Sequence, residues 1–241
     1  MFPIIRIGPA VIQTSILALV AAIWLGATIA EGEAKRRGLR GDDVWNIVSI
    51  GAIGTLIAAR VIYIAQNFSA YASDPLQVFS PAPGTLALGY GAIFGALAAY
   101  GYIQRRVIPL APLLDSIAPG ALAALGIYAL GQFLSGDAYG TPTNLPWGVF
   151  MWGETRHPVQ LYDTLGAFLG WGVIKKFGRP GSVALMAVVW YSAVRLIVDA
   201  YRGEAMILPN GFRVSQIIAL VVLLGALWTL ANSKEQMANG E

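Results

Sequence analysis

Charged side chains are costly inside long apolar runs, so the few that stand there are the first candidates for chemistry. Arg60 lies near the end of the run Val44–Ile64, His157 opens the run Pro158–Ile174, and Arg195 and Asp199 fall in the second half of Ser182–Ala200. Arg195, Asp199 and Arg202 follow a spacing of four and three, which places them on one helix face, where an Arg–Asp pair holds together in low dielectric. Such a pair either fixes helix packing or presents a guanidinium to an anion. Arg60 has no acidic residue within one turn of its own helix, so its partner must come from across the bundle or from a ligand. A phospholipid phosphate suits it, because guanidinium binds phosphate in a bidentate manner.

His157 is preceded by Arg156 and followed by Pro158, Gln160, Tyr162 and Asp163, a polar helix start after a long loop that contains Gly136, Asp137, Ala138, Tyr139, Gly140, Thr141 and Pro142. A lone histidine at a helix end is ordinarily a cap or a surface group. These neighbours make it a candidate for proton transfer as well.

The elements that must position these residues are membrane helices. Of 241 residues, 56% are hydrophobic and only 12% charged, against roughly 25% charged in soluble domains. Seven runs approach the roughly 20 residues that a span needs: Val11–Ala30, Val44–Ile64, Gly84–Ile103, Leu110–Leu134, Pro158–Ile174, Ser182–Ala200 and Val214–Leu230. No polar stretch is long enough to fold separately, so the expectation is an all-α seven-helix bundle forming a single integral membrane domain over 1–241. The run from Leu110 carries Pro109, Pro112, Pro119 and Asp115, which predicts a kinked or partly re-entrant segment. The first run lacks a small-residue cleavage site and is expected to stay as an anchor.

Orientation follows from the basic residues. Lys35, Arg36, Arg37, Arg40, Arg105, Arg106, Lys175, Lys176, Arg179 and Lys234 fall on one side, and Arg6, Arg156, Arg202 and Arg213 on the other, ten against four. The N-terminus is therefore expected outside and the C-terminus in the cytoplasm. Gln66–Pro83 and Ser135–His157 then form a small extracytoplasmic loop region, and all four charged candidates lie at that level.

Other function classes recede on the same grounds. The net charge of +3 comes from short clusters between apolar runs, which is topogenic placement and not a nucleic-acid surface. Without cysteine, and with one histidine, the chain offers neither a thiolate nucleophile nor a multi-histidine metal site, and no cofactor is expected. A transporter or channel is disfavoured because no repeat is visible and no polar path crosses the inner half, where Asp115 stands alone. Gly91 with Gly95 and Gly166 with Gly170 read as ordinary close packing.

Several segments together resemble the bacterial prolipoprotein diacylglyceryl transferases. They are GDAYGTPTNLPWGV at Gly136–Val149, RHPVQLYD at Arg156–Asp163, GTLIAARVIY at Gly54–Tyr63, RLIVDAYR at Arg195–Arg202 and VSQIIAL at Val214–Leu220. The resemblance covers most of the chain. It implies a multi-pass enzyme of the bacterial plasma membrane that moves diacylglyceryl from phosphatidylglycerol to a lipobox cysteine, so that the prolipoprotein signal peptide is a partner and supplies the thiol. It also implies His157, Arg195, Asp199 and Asp137 as catalytic residues, with His157 the one available imidazole base. Arg60, Arg156, Gln160, Tyr162, Asp163 and Arg202 would bind the lipid.

The chain departs from this pattern at informative places. Ala129 stands where the family has an arginine that binds phosphate, Gln132 replaces an asparagine, and Gly89 falls where a histidine is commonly proposed to act on the thiol. Asp137 and Asp199 shorten usual glutamates. Losing one charge-assisted contact to a transition-state phosphate costs about 2.7 to 4 kcal/mol. Two readings stay open: a divergent transferase using phosphatidylglycerol or another anionic phospholipid, and a non-catalytic relative that binds lipid as an accessory subunit beside partner membrane proteins.

Overall fold

The computed structural model describes residues 2–7, 10–79 and 84–239. Long helices dominate: α1 Thr14–Arg36, α2 Gly41–Gln66, α4 Leu88–Arg105, α5 Leu110–Ser135, α6 Val159–Phe177, α7 Val183–Val198 and α8 Val214–Asn239. A short α3, Phe68–Ser73, and two 3-10 turns, Pro75–Phe79 and Asp199–Tyr201, complete the helical content of the described residues. Two antiparallel strand pairs complete the picture: β1 Ile4–Ile7 with β2 Ala10–Gln13 precedes α1, and β3 Val149–Met151 with β4 Glu154–Arg156 lies between α5 and α6.

Five helices, α1, α2, α5, α8 and α7 with its 3-10 extension, are long and apolar enough to cross a bilayer. Large apolar side chains such as Val20, Trp24, Ile57, Val61 and Leu224 point outward, as they must where lipid is the solvent. The protein is a multi-pass membrane protein. α4 and α6, of 18 and 19 residues, pack in the same bundle.

Packing relies on small residues. α1 and α5 run antiparallel in close contact, with Gly26 against Gly120 and Ala18 against Gly131, leaving no room for a Cβ on either α5 glycine. Gly91 and Gly95 seat α4 on Thr55 and Ala59 of α2, while Gly166 and Gly170 seat α6 on Val194 and Trp190 of α7. The small-residue spacings thus serve packing, as their pattern implies.

Two expectations are corrected. Of the two alternatives for the segment from Leu110, the re-entrant one is overturned by one uninterrupted helix: Pro109 precedes it, Pro112 lies in its first turn where no amide bond is lost, and Pro119 alone is interior. The first helix starts at Thr14 instead of Val11, because Ala10–Gln13 pair with Ile4–Ile7 as a hairpin. Residues 80–83, at the end of the connection after α2, lie outside the described residues.

One end of the bundle collects the clustered bases. There Glu33 binds Arg36 at 2.7 Å, Arg37 at 2.7 Å and Lys175 at 2.6 Å, tying α1 to α6. Asp115 of α5 accepts the amides of Gly181 at 2.6 Å and Ala184 at 2.9 Å, capping the start of α7. Asp115 is a structural cap. The opposite end carries both hairpins and the remaining polar cluster.

Candidate functional site

At the hairpin end, two arginines and two aspartates from α6, α7 and the turn after it form a closed ionic ring. Arg195 Nη2 lies 2.7 Å from Asp199 Oδ1 and its Nη1 lies 3.3 Å from Asp163 Oδ2. Arg202 Nε lies 3.1 Å from the same Asp199 oxygen, and its Nη2 pairs with the same Asp163 oxygen. The spacing of four and three is therefore realised, and Asp163 joins it from α6. Asp199 is fully buried and Asp163 nearly so, yet Asp199 Oδ2 and Asp163 Oδ1 have no hydrogen-bond partner among the described residues.

The two arginines differ in what remains available. Arg202 also reaches Glu204 at 3.1 Å and is nearly enclosed. Burial works to lower its pKa, but Asp163, Glu204 and Asp199 outweigh burial and hold it above its ordinary value. Arg195 is less covered and opens into a cavity of about 260 Å³ between α7 and α8, together with Tyr191, Ser192, Asp199, Ser215 and Ile218. Ser215 Oγ is buried without a partner among the described residues. A second groove of about 340 Å³ shares Tyr191, Ser192 and Val222 with that cavity. It continues along Leu114, Ala118, Leu125, Ala184 and Val188 and is almost wholly apolar. A cationic head thus leads into an apolar trough.

His157 stands at the start of α6, buried, with its ring 4.7 Å from the Tyr201 ring. Its Nδ1 is 3.3 Å from Tyr162 Oη, which also accepts the Trp147 indole N–H at 2.9 Å. The backbone around it forms a miniature sheet. His157 N donates to Thr141 O at 3.0 Å, Thr143 N to Thr155 O at 2.9 Å, Thr141 N to Tyr201 O at 2.7 Å, and Gly203 N to Tyr139 O at 2.8 Å. Gly140 lies so close to the His157 carbonyl that any Cβ there would clash. The loop is strapped between the ionic ring and the histidine.

Other candidates hold structure together. Gln160, fully buried, donates from Nε2 to the carbonyls of Asp137 at 2.9 Å and Ala138 at 2.6 Å, fixing the loop after α5. Arg156 donates to Gly140 O at 3.1 Å, pairs with Glu154 at 2.8 Å and lies 5.0 Å over the Tyr139 ring. Asp137 makes no ion pair among the described residues and borders a recess with Pro3, Ile4, Ile12, Gln13 and Ser15 of the first hairpin.

Arg60 lies apart from the ring. Its guanidinium donates to Gln77 O at 2.6 Å, Val78 O at 2.9 Å and Thr85 O at 3.2 Å, to the Thr85 hydroxyl, and sits 5.6 Å over Tyr71. Of the two sources of a partner, the structure supplies one away from its own helix: carbonyls of the following loop satisfy the guanidinium. Its spacing hid them, because they lie 17 to 25 residues downstream. Tyr191 and Ser215 escaped the sequence reading because a tyrosine or serine in an apolar run reads as packing, although Tyr191 stands one turn before Arg195. Ala129 is buried in α5, while Gly89 begins α4 with open space where a side chain would stand.

The family model described as prolipoprotein diacylglyceryl transferase matches residues 3–232. A phosphatidylglycerol–prolipoprotein diacylglyceryl transferase of Clostridioides difficile (strain 630) is 34% identical over 213 residues, covering 87% of this chain and 86% of the relative. Proteins of the same description from Enterococcus faecalis (strain ATCC 700802 / V583) and Streptococcus suis (strain 05ZYH33) are 31% and 29% identical, covering 87% and 91% of this chain and 82% and 87% of their own lengths.

Proposed function

The chain belongs to the prolipoprotein diacylglyceryl transferase family, and from that premise we propose that it transfers the diacylglyceryl group of phosphatidylglycerol, or of a related anionic phospholipid, to a lipobox cysteine. The setting is the bacterial plasma membrane, in which 1–241 form one domain of seven spanning helices with the hairpin end outside. The observation that carries this reading is Arg195, held by two buried carboxylates and opening onto a cavity that runs into an apolar trough.

A phosphodiester at Arg195 places its acyl chains in the trough along α5, α7 and α8. Asp163 and Asp199 keep the guanidinium oriented before the lipid arrives, so little reorganisation is left for the reaction itself. The acceptor sulfur attacks the glycerol carbon that bears the phosphate ester. The carbon–oxygen bond breaks as the carbon–sulfur bond forms, and glycerol phosphate leaves with the electron pair, its charge facing Arg195. The thiol proton goes to His157. For Nε2 to receive it, Nδ1 must carry a proton toward Tyr162 Oη, whose oxygen has lone pairs for this donor and for Trp147. Gln160, Arg156 and Asp137 shape the strapped loop that forms the roof of the site, and Arg202 closes the ring.

Ala129 and Gly89 favour a second reading, a lipid-binding accessory subunit without catalysis. One assay separates the two: purified protein in phosphatidylglycerol vesicles with labelled diacylglyceryl lipid and a lipobox peptide. Transfer that vanishes in Arg195→Ala supports the enzyme. Folded protein that retains lipid yet transfers nothing supports the accessory role and removes the first reading.

A further inference from the structure

The ionic ring leaves Arg195 short of what a phosphodiester needs. One of its N–H groups goes to Asp163 and another to Asp199, and the two carboxylates offset much of its charge. A phosphodiester carries two free oxygens, each with more than one lone pair, and away from water an acceptor left unmet is costly. A second donor beside the guanidinium would meet that need. The candidate stands at the start of α8, which lines the 260 Å³ cavity with one helix face, Ser215, Ile218, Ala219 and Val222. Ser215 is the polar member of that face. Its level is set by its neighbour: Gln216 Nε2 donates to Leu196 O at 2.9 Å, which ties the first turn of α8 to the residue next to Arg195.

Ser215 is also unspent. Its Oγ is buried with no hydrogen-bond partner among the described residues. Hydroxyls on helices commonly bond the carbonyl one turn back, as Ser116 and Thr164 do in this chain, but Ser215 does not. Nor does any carbonyl among the described residues accept its amide, although Val214 N donates to Met206 O at 3.0 Å and Gln216 N to Arg213 O at 3.1 Å. A buried hydroxyl of this kind detracts from stability as it stands. Rotation about its χ1 turns it toward the cavity, and no hydrogen bond breaks to allow this. Tyr191 and Ser192 line the cavity too, but they also line the apolar groove, at the level of acyl chains. Arg195, Asp199 and Ser215 line the cavity and not that groove, so they mark its polar end.

We infer that Ser215 is a ligand of the lipid phosphodiester, donating its hydroxyl to the phosphate oxygens that Arg195 holds. Its free amide, at the start of a long helix, adds a second donor with the helix dipole behind it. The inference rests on the proposed lipid substrate and names a further residue that binds it. Ser215 meets the phosphate both before and after the carbon–oxygen bond breaks, so its loss acts on KM more than on kcat.

The test reads binding, so it does not depend on turnover. The purified protein in maltoside micelles is titrated with phosphatidylglycerol, with diacylglycerol, which lacks the phosphate, and with glycerol phosphate, which lacks the chains. Ser215→Ala should weaken phosphatidylglycerol binding about tenfold, the worth of one charge-assisted bond, and leave diacylglycerol binding unchanged. Ser215→Thr, which keeps the hydroxyl, should bind as the native protein does, and Ser215→Val, of the same shape without it, should bind as the alanine variant does. Without lipid, the alanine variant should unfold no earlier than the native protein, because the hydroxyl it loses had no partner. Native affinity for phosphatidylglycerol in the alanine and valine variants overturns the inference. So does an earlier lipid-free unfolding with equal losses for phosphatidylglycerol and diacylglycerol, which would make the hydroxyl a packing group. A loss confined to glycerol phosphate would make Ser215 a ligand of the free phosphate and not of the lipid. If phosphatidylglycerol binding is indifferent to Arg195→Ala, the proposed lipid site fails and Ser215 with it; if binding depends on Arg195 and not on Ser215, only the present inference fails.

Discussion

Arg195 and Asp199 are joined at 2.7 Å across one turn of α7, and the carboxylate is completely buried while the guanidinium opens to a cavity. A buried anion beneath a partly open cation is an arrangement for holding the cation still. Asp199 Oδ2 has no hydrogen-bond partner among the described residues, so the pair leaves one buried acceptor unused.

Arg195→Ala should remove phosphate stabilisation and lower kcat by about 10² to 10³, the cost of one oxyanion donor. Arg195→Lys should recover only part of it, since a point charge cannot bridge Asp163, Asp199 and a phosphate at once. Steady-state transfer of labelled diacylglyceryl to a lipobox peptide measures both. Unchanged kcat in the alanine variant would take Arg195 out of the reaction.

Asp199→Asn should destabilise the protein more than it alters lipid binding. Two arginines would lose a shared buried partner, a loss of about 3 to 5 kcal/mol. Thermal unfolding in detergent should show a markedly lower midpoint.

Arg60→Ala should free the loop that it clamps and leave the KM for lipid unaltered. Each charge-assisted bond to a carbonyl contributes about 1.5 to 3 kcal/mol. Amide exchange across Tyr71–Phe79 should therefore accelerate at least about tenfold. A raised KM with unchanged exchange would restore Arg60 as a lipid ligand.

Gly140→Ala should disrupt the strap between Tyr201 and His157, because the new methyl meets the His157 carbonyl. Activity should fall while the helical circular dichroism stays intact, since α5 and α6 do not depend on that contact.

Asp115→Ala removes the cap on α7 at the far end of the bundle. It should cost about 0.5 to 2 kcal/mol of stability and leave transfer kinetics unchanged.

Membrane class, the approximate helices and the Arg195–Asp199 pair were legible from the chain alone because each is local. Apolar runs near span length need no partner to be recognised, and a spacing of four on a helix brings side chains together wherever the helix lies. The motifs around His157 and Arg195 were equally local, and they carried the family. Tertiary structure alone decided what each polar residue meets. Asp163 reaches Arg195 and Arg202 from 32 and 39 residues away, Gln160 meets carbonyls 22 and 23 residues back, and Arg60 is claimed by its own loop. The sequence could not announce that Pro109 precedes α5 and Pro112 falls in its first turn, where no helical bond is lost, because that depends on where the helix starts. The cavity between α7 and α8 exists only once distant segments pack, because a sequence records which side chains are present and packing determines which surfaces stay uncovered.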